Sequence, residues 1–100
     1  MKAQASVAFC LIVMTTLADA ADVGHGRVLA ERWCAACHAV APGQRLMTEA
    51  PSFETVARKK QMDAGALALF LMNPHPRMPN MGLMRSEAAD LAAYIKSLDN

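Results

Sequence analysis

Cys34-Ala35-Ala36-Cys37-His38 is the stretch on which the reading of this 100-residue sequence turns. Residues three apart on a helical turn share a face, so the two thiols can lie along one line with an imidazole directly after them. Three chemistries use such a pair. A thioredoxin-like dithiol sets C-x-x-C at the start of a helix after a strand, but here the cysteines close a helical pattern and no strand pattern precedes them. A zinc site needs four ligands, and beyond the motif only His25 and His75 are available, at spacings unlike any finger. C-x-x-C-H is the attachment motif of c-type haem: both thiols add across porphyrin vinyl groups, and the histidine reaches the iron.

Upstream, residues 1–20 read as a secretory signal. Lys2 precedes an apolar run from Val7 to Met14, and Ala18-Asp19-Ala20 is a small-x-small cleavage site. Eight apolar residues fall far short of the roughly 20 that span a bilayer, which argues against a retained anchor. A lipoprotein signal does not fit either, since Cys10 comes early and Val7-Ala8-Phe9 before it are not the small residues required. Cleavage after Ala20 leaves a domain of residues 21–100, exported to the oxidising bacterial periplasm, with no integral membrane segment.

Of the 54 hydrophobic residues, 14 leave with the signal, and 40 in 80 is an ordinary globular content. Eighty residues exclude two domains or a repeat array and make a core of marginal size. Only Cys34 and Cys37 remain as cysteines, too few for a disulfide framework. Four aromatics remain, Trp33, Phe53, Phe70 and Tyr94. A covalently held haem explains how so small a core suffices. The domain keeps nine cationic and eight anionic residues, which does not suggest nucleic acid as a partner. Arg58-Lys59-Lys60 reads as a solvated helix end.

Helical periodicity recurs and strand alternation does not, so the fold class is all-α with four or five short helices. The first helix starts near Asp22 or Val23 and sets Gly26, Leu29, Ala30 and Trp33 on one face. A Pro42-Gly43 turn opens a loop lasting to Pro51. Ser52 can cap a helix that turns Phe53, Val56 and Ala57 inward, and Asp63 one with Ala66, Leu67, Phe70 and Leu71 inward. That helix must end at Asn73, because prolines 74, 76 and 79 impose an extended segment. Ser86 is expected to cap the last helix, with Ala88, Leu91, Ala92, Ile95 and Leu98 as its buried stripe. His25 is expected to be exposed and is assigned no role.

A haem iron bound by His38 has a sixth position, and six methionines, at 47, 62, 72, 78, 81 and 84, are available for it. Methionine is more often a core filler than a ligand. Met78 stands out because prolines at 76 and 79 hold it on a stiff segment, so presenting its thioether costs little chain entropy. Met81, Met84 and His75 lie close enough in sequence to compete.

Several separated features resemble a class I monohaem c-type cytochrome. Gly26, eight residues before Cys34, matches the helix glycine over which the family's last helix crosses closely, and Leu91 and Tyr94 match the residues that pack on it. Ala50-Pro51-Ser52-Phe53 resembles the family's proline segment facing the proximal histidine, and Pro74-His75-Pro76-Arg77-Met78-Pro79 its methionine loop. One departure is Ala30, where many members carry an aromatic residue, so a lighter contact between first and last helices is expected.

The resemblance spans nearly all of residues 21–100 and implies the cytochrome c fold, with its helices wrapped around one covalent haem c. It implies thioether links at Cys34 and Cys37, axial ligands His38 and Met78, and a Pro51 carbonyl accepting the Nδ1 proton of His38. The activity implied is one-electron transfer rather than enzymatic turnover, in a periplasmic redox chain or as the cytochrome subunit of a dehydrogenase or oxidase. The partners implied are a dehydrogenase, an oxidase or another cytochrome. The alternative is a haem enzyme or a gas- or peroxide-binding protein with an open sixth position. It would want distal acid and base groups, and only His75 and Arg77 lie near.

If the haem supplies much of the core, replacing Cys34 and Cys37 together by Ala leaves a largely unfolded chain. A cooperative thermal transition of that variant, followed by far-ultraviolet circular dichroism, would contradict the premise.

Overall fold

The structure is a computed structural model that describes residues 2–13, 20–74 and 76–99. Residues 2–13 are exposed and form no helix or strand. Ala18 and Asp19 of the cleavage motif, Met14 at the end of the apolar run, and His75 lie outside the described residues. Among those described there are four α-helices and no strand, the all-α arrangement expected: α1 (Val23–Trp33), α2 (Phe53–Ala57), α3 (Ala64–Met72) and α4 (Arg85–Ser97). None of them is long and apolar enough to cross a membrane.

All four helices begin at a side-chain or reach-back cap. The Asp22 carboxylate accepts from His25 N–H at 3.0 Å, Ser52 Oγ from Thr55 N–H at 3.1 Å, and Asp63 from Ala66 N–H at 2.8 Å. The last helix corrects the expectation for Ser86. Its cap is Met84, two residues earlier than the hydroxyl signal suggests, because the Glu87 carboxylate reaches back to accept from Met84 N–H at 2.9 Å. At the other end of α3 the helix stops at Asn73, where the following proline forbids continuation.

Helix α4 packs against each of the other three, and α1, α2 and α3 do not pack on one another. Its stripe of Ala88, Leu91, Ala92, Ile95 and Leu98 is buried as its periodicity predicts, with Tyr94 buried beside it. Two inward assignments change. Ala66 faces outward and Ala68 takes its place against the core, since the face of α3 that meets α4 is centred on Leu67 and Leu71. Trp33 is 48 % exposed, because α1 ends there and the ring stands at the lip of a cavity, with the Arg32 guanidinium 5.1 Å from its centroid.

The α1–α4 contact depends on Gly26. A Cβ there would stand 2.0 Å from the Asp90 carbonyl oxygen and 2.8 Å from Tyr94 Cβ, so only hydrogen fits between the helices. Ala30, one turn on, is completely buried, so a small side chain lets the helices close where the family often places an aromatic ring. Polar ties frame the crossing. Asp90 Oδ1 accepts from Asp22 N–H at 2.7 Å, and Asp90 Oδ2 lies 2.7 Å from His25 Nδ1. His25 is therefore partly exposed yet bonded, a role that its position in the sequence did not reveal. On the far side, Lys96 Nζ donates to the Ala57 carbonyl at 2.6 Å, placing a cation at the C-terminus of α2.

Two outcomes follow for the haem-loaded protein. Gly26→Ala gains about 1 kcal/mol of helix propensity. It must also force a backbone oxygen aside, which costs more, so a net loss of about 2 kcal/mol is expected in denaturant unfolding. Gly24→Ala is the control: its Cβ would meet nothing nearer than 3.4 Å, and it should be neutral to stabilising by up to about 1 kcal/mol.

The second outcome concerns pH. The hydrogen bond to Asp90 raises the His25 pKa, helped by the charges of Asp90, Asp22 and Glu87, while the His25 and Asp22 N–H bonds lower that of Asp90. The histidine's contribution is complete below its unfolded value of about 6.5 and is lost as pH rises through the folded value. The aspartate's is complete above about 3.9 and is lost as pH falls through its folded value. Thermal midpoints of wild type minus His25→Gln should therefore be greatest between about pH 4 and 6.5 and should shrink on both sides. A flat difference across pH 4 to 9 would refute the pairing.

Candidate functional site

Helix α1 ends where the motif begins. Cys34 N–H still bonds the Ala30 carbonyl at 2.9 Å, and the chain then folds into a turn in which Cys37 N–H and His38 N–H both donate to Cys34 O, at 3.2 and 2.9 Å. This turn brings both sulfurs and the imidazole to one wall. Cys34 is buried and Cys37 exposed, and neither is in a disulfide. Burial pushes the Cys34 thiol up to about 11, because the thiolate loses hydration without gaining a countercharge.

The His38 ring is fixed from behind. Its Nδ1 lies 2.7 Å from the Pro51 carbonyl oxygen. A carbonyl can only accept, so Nδ1 carries the proton and the lone pair of the neutral ring is on Nε2. Phe53 packs beside it with ring centroids 5.3 Å apart. The backbone after His38 is anchored residue by residue: Ala39 O accepts from Phe53 N–H at 2.9 Å, Val40 N–H donates to Gln44 Oε1 at 2.8 Å, and Val40 O accepts from the Tyr94 hydroxyl at 2.5 Å. Gly43, at φ 73° in the Pro-Gly turn, takes a conformation that side chains other than hydrogen resist, and its N–H donates to Glu54 Oε1 at 2.6 Å.

Because α1, α2 and α3 meet only α4, a space remains among them. It is a cavity of about 750 Å³, within the range of cofactor sites of roughly 300–1,000 Å³. Cys34, Cys37, His38, Pro51 and Met78 all line it, and so do Phe53, Leu67, Phe70, Leu71 and Ile95 from three helices. The methionines divide: Met62, Met78 and Met81 line this cavity, whereas Met47, Met72 and Met84 do not. Sequence reasoning missed Thr48 and Glu49, both on the wall, because nothing local marks them; Met62 is on the wall too, one of six candidate methionines with no local feature to single it out, and so is Lys59 of the solvated basic run. Glu49 and Arg77, also on the wall, face each other at 3.4 Å.

The residues fit a c-type haem on their chemistry. Two unpaired thiols, a histidine with an oriented lone pair and thioethers border one apolar volume, and no polar or charged side chain is buried among the described residues to obstruct it. No group of three or more His, Cys, Asp or Glu side chains suited to a bare metal ion occurs among the described residues.

A curated protein, "Cytochrome c-552" of Bradyrhizobium diazoefficiens, is 50% identical to this chain over 94 residues, covering 89% of this chain and 90% of that protein. No protein-family model matches the chain, and no solved structure matches it significantly.

Proposed function

The chain belongs to the c-type cytochromes, and from that premise we propose that it is a periplasmic one-electron carrier with haem c held through Cys34 and Cys37 and iron between His38 and Met78. In this reading residues 1–20 are removed on export and residues 21–100 form the working domain. The reading is supported above all by one observation: both thiols, the histidine and Met78 border the same apolar cavity.

Haem c, when bound, supplies an iron that cycles between ferric and ferrous states. The chain's own residues set the terms of that exchange. Cys34 and Cys37 fix the cofactor covalently, so it cannot leave with a partner. His38 presents Nε2 because Pro51 holds the proton on Nδ1, and a hydrogen bond there raises the basicity of the ring. Met78 brings a soft thioether that favours the reduced state and raises the potential. Phe53, Leu67, Phe70, Leu71 and Ile95 keep water off the site, which lowers the reorganisation that accompanies a change of charge. If His38 and Met78 both held the iron, no place would be left for oxygen, peroxide or substrate. Redox proteins are therefore the partners, either as neighbours in a chain or as the other subunits of a dehydrogenase or oxidase.

The absorption spectrum of the ferric protein tests the ligation. A weak band at the red edge from sulfur–iron bonding is expected, and a high-spin spectrum would replace the carrier with a protein having an open sixth position. Met78→Ala should retain covalent haem yet acquire carbon monoxide binding in the ferrous state. Failure to gain it would move the ligand to another residue, with Met81 next because it lines the same cavity.

A further inference from the structure

We infer that Thr48 is a positioning residue for the His38 imidazole, acting through the Cys37 carbonyl; this rests on the proposed ligation by His38. Thr48 Oγ1 donates to Cys37 O at 2.5 Å. That oxygen belongs to the peptide group joining Cys37 to His38, and the N–H of the same group donates to Cys34 O at 2.9 Å. A peptide is planar, so gripping it at both its oxygen and its N–H fixes the plane from which the His38 side chain departs. The ring is then held at its far side by Pro51 O at 2.7 Å.

Thr48 and Pro51 are three residues apart on one loop, so a single segment grips both the backbone leading into His38 and the ring itself. The segment is in turn tied down by the bonds from Phe53 N–H to Ala39 O, from Val40 N–H to Gln44 Oε1 and from Gly43 N–H to Glu54 Oε1. Without the Thr48 bond the Pro51 contact remains, but it fixes one point on the ring and leaves the ring plane free to turn about that point. Thr48 is exposed, and a hydrogen bond there adds little to global stability, so its effect is on geometry.

The test uses the haem-loaded ferric protein and compares Thr48→Val, which removes the donor at nearly constant volume, with Thr48→Ser, which keeps it. Haem methyl NMR shifts and the anisotropy of the electron paramagnetic spectrum report the plane of an axial imidazole. Solvent exchange of the His38 Nδ1 proton reports how firmly the ring is held. Thr48→Val should redistribute the methyl shifts and speed that exchange severalfold while the red-edge sulfur–iron band persists, and Thr48→Ser should restore wild-type values. Thr48→Ala gives the same comparison without a second methyl group against the carbonyl. Wild-type shifts and exchange in both donor-free variants, whatever happens to their stability, would overturn the inference alone. A wild-type spectrum without histidine ligation would overturn the ligation reading, and this inference with it.

Discussion

The close crossing of α1 over α4 at Gly26 is the constraint from which the rest of the structure follows. Helix α4 is the common neighbour of the other three helices, so its contact with α1 decides where the end of α1 points. With hydrogen at position 26 the helices approach until the Asp90 backbone fills the space a methyl group would need. The turn after α1 is then caught by α4: Tyr94, on the same face of α4 as the crossing, donates its hydroxyl to Val40, two residues beyond His38. One glycine thus sets both the start and the finish of the segment that carries the thiols and the imidazole.

A fold organised around one helix leaves a gap, and here the gap is the functional feature. Three helices that touch a fourth but not each other must enclose either a void or something that fills it, and an apolar cavity of about 750 Å³ is far larger than the packing defects of a well-formed interior. Phe53, Leu67 and Leu71, together with Ile95 of α4, are buried in the core and also line the cavity. A large flat apolar group bonded to Cys34 and Cys37, as proposed, would fill the volume that these side chains border. The polar ties run around this volume and not through it: Asp22, His25 and Asp90 at one end, Lys96 and the Ala57 carbonyl at the other.

Local signals in the sequence carried the helices and the attachment motif far. The caps at Ser52 and Asp63, the stop at Asn73 and the buried stripe of α4 depend on residues within a turn or two of each other, and periodicity reports such relations directly. Two local solutions compete at the start of α4. Ser86 offers a hydroxyl, but the Glu87 carboxylate reaching back to Met84 starts the helix earlier. Spacing alone puts Ala66 inward and Trp33 on the face of Gly26, whereas the direction of a face is settled by what it meets: Leu67 and Leu71 centre α3 on α4, and Trp33 has run past the end of the contact. The least legible residues join distant parts of the chain. His25 finds Asp90 65 positions away, Glu54 finds Gly43, and Lys59 and Met62 reach the cavity wall only through the path of the loops.

The two proposed axial ligands are secured by different physics, and the difference suits what each must do. A histidine nitrogen has one lone pair lying in the ring plane, so the ring must be both placed and oriented. Around His38 the structure supplies directional bonds from Pro51, Thr48 and Cys34. A thioether sulfur has two lone pairs on a side chain with several rotatable bonds, so it needs delivery more than orientation. The segment bearing Met78 is built accordingly. Prolines 74, 76 and 79 restrict the chain before it folds, Asn80 Oδ1 accepts from Gly82 N–H at 2.9 Å to turn it back, and the Arg77–Glu49 pair is too exposed to impose much geometry. Stiffness lowers the entropy lost on binding sulfur but does not fix a bond direction. The histidine side is therefore the determined half of the site, and the methionine side is the half where one ligand can yield to another.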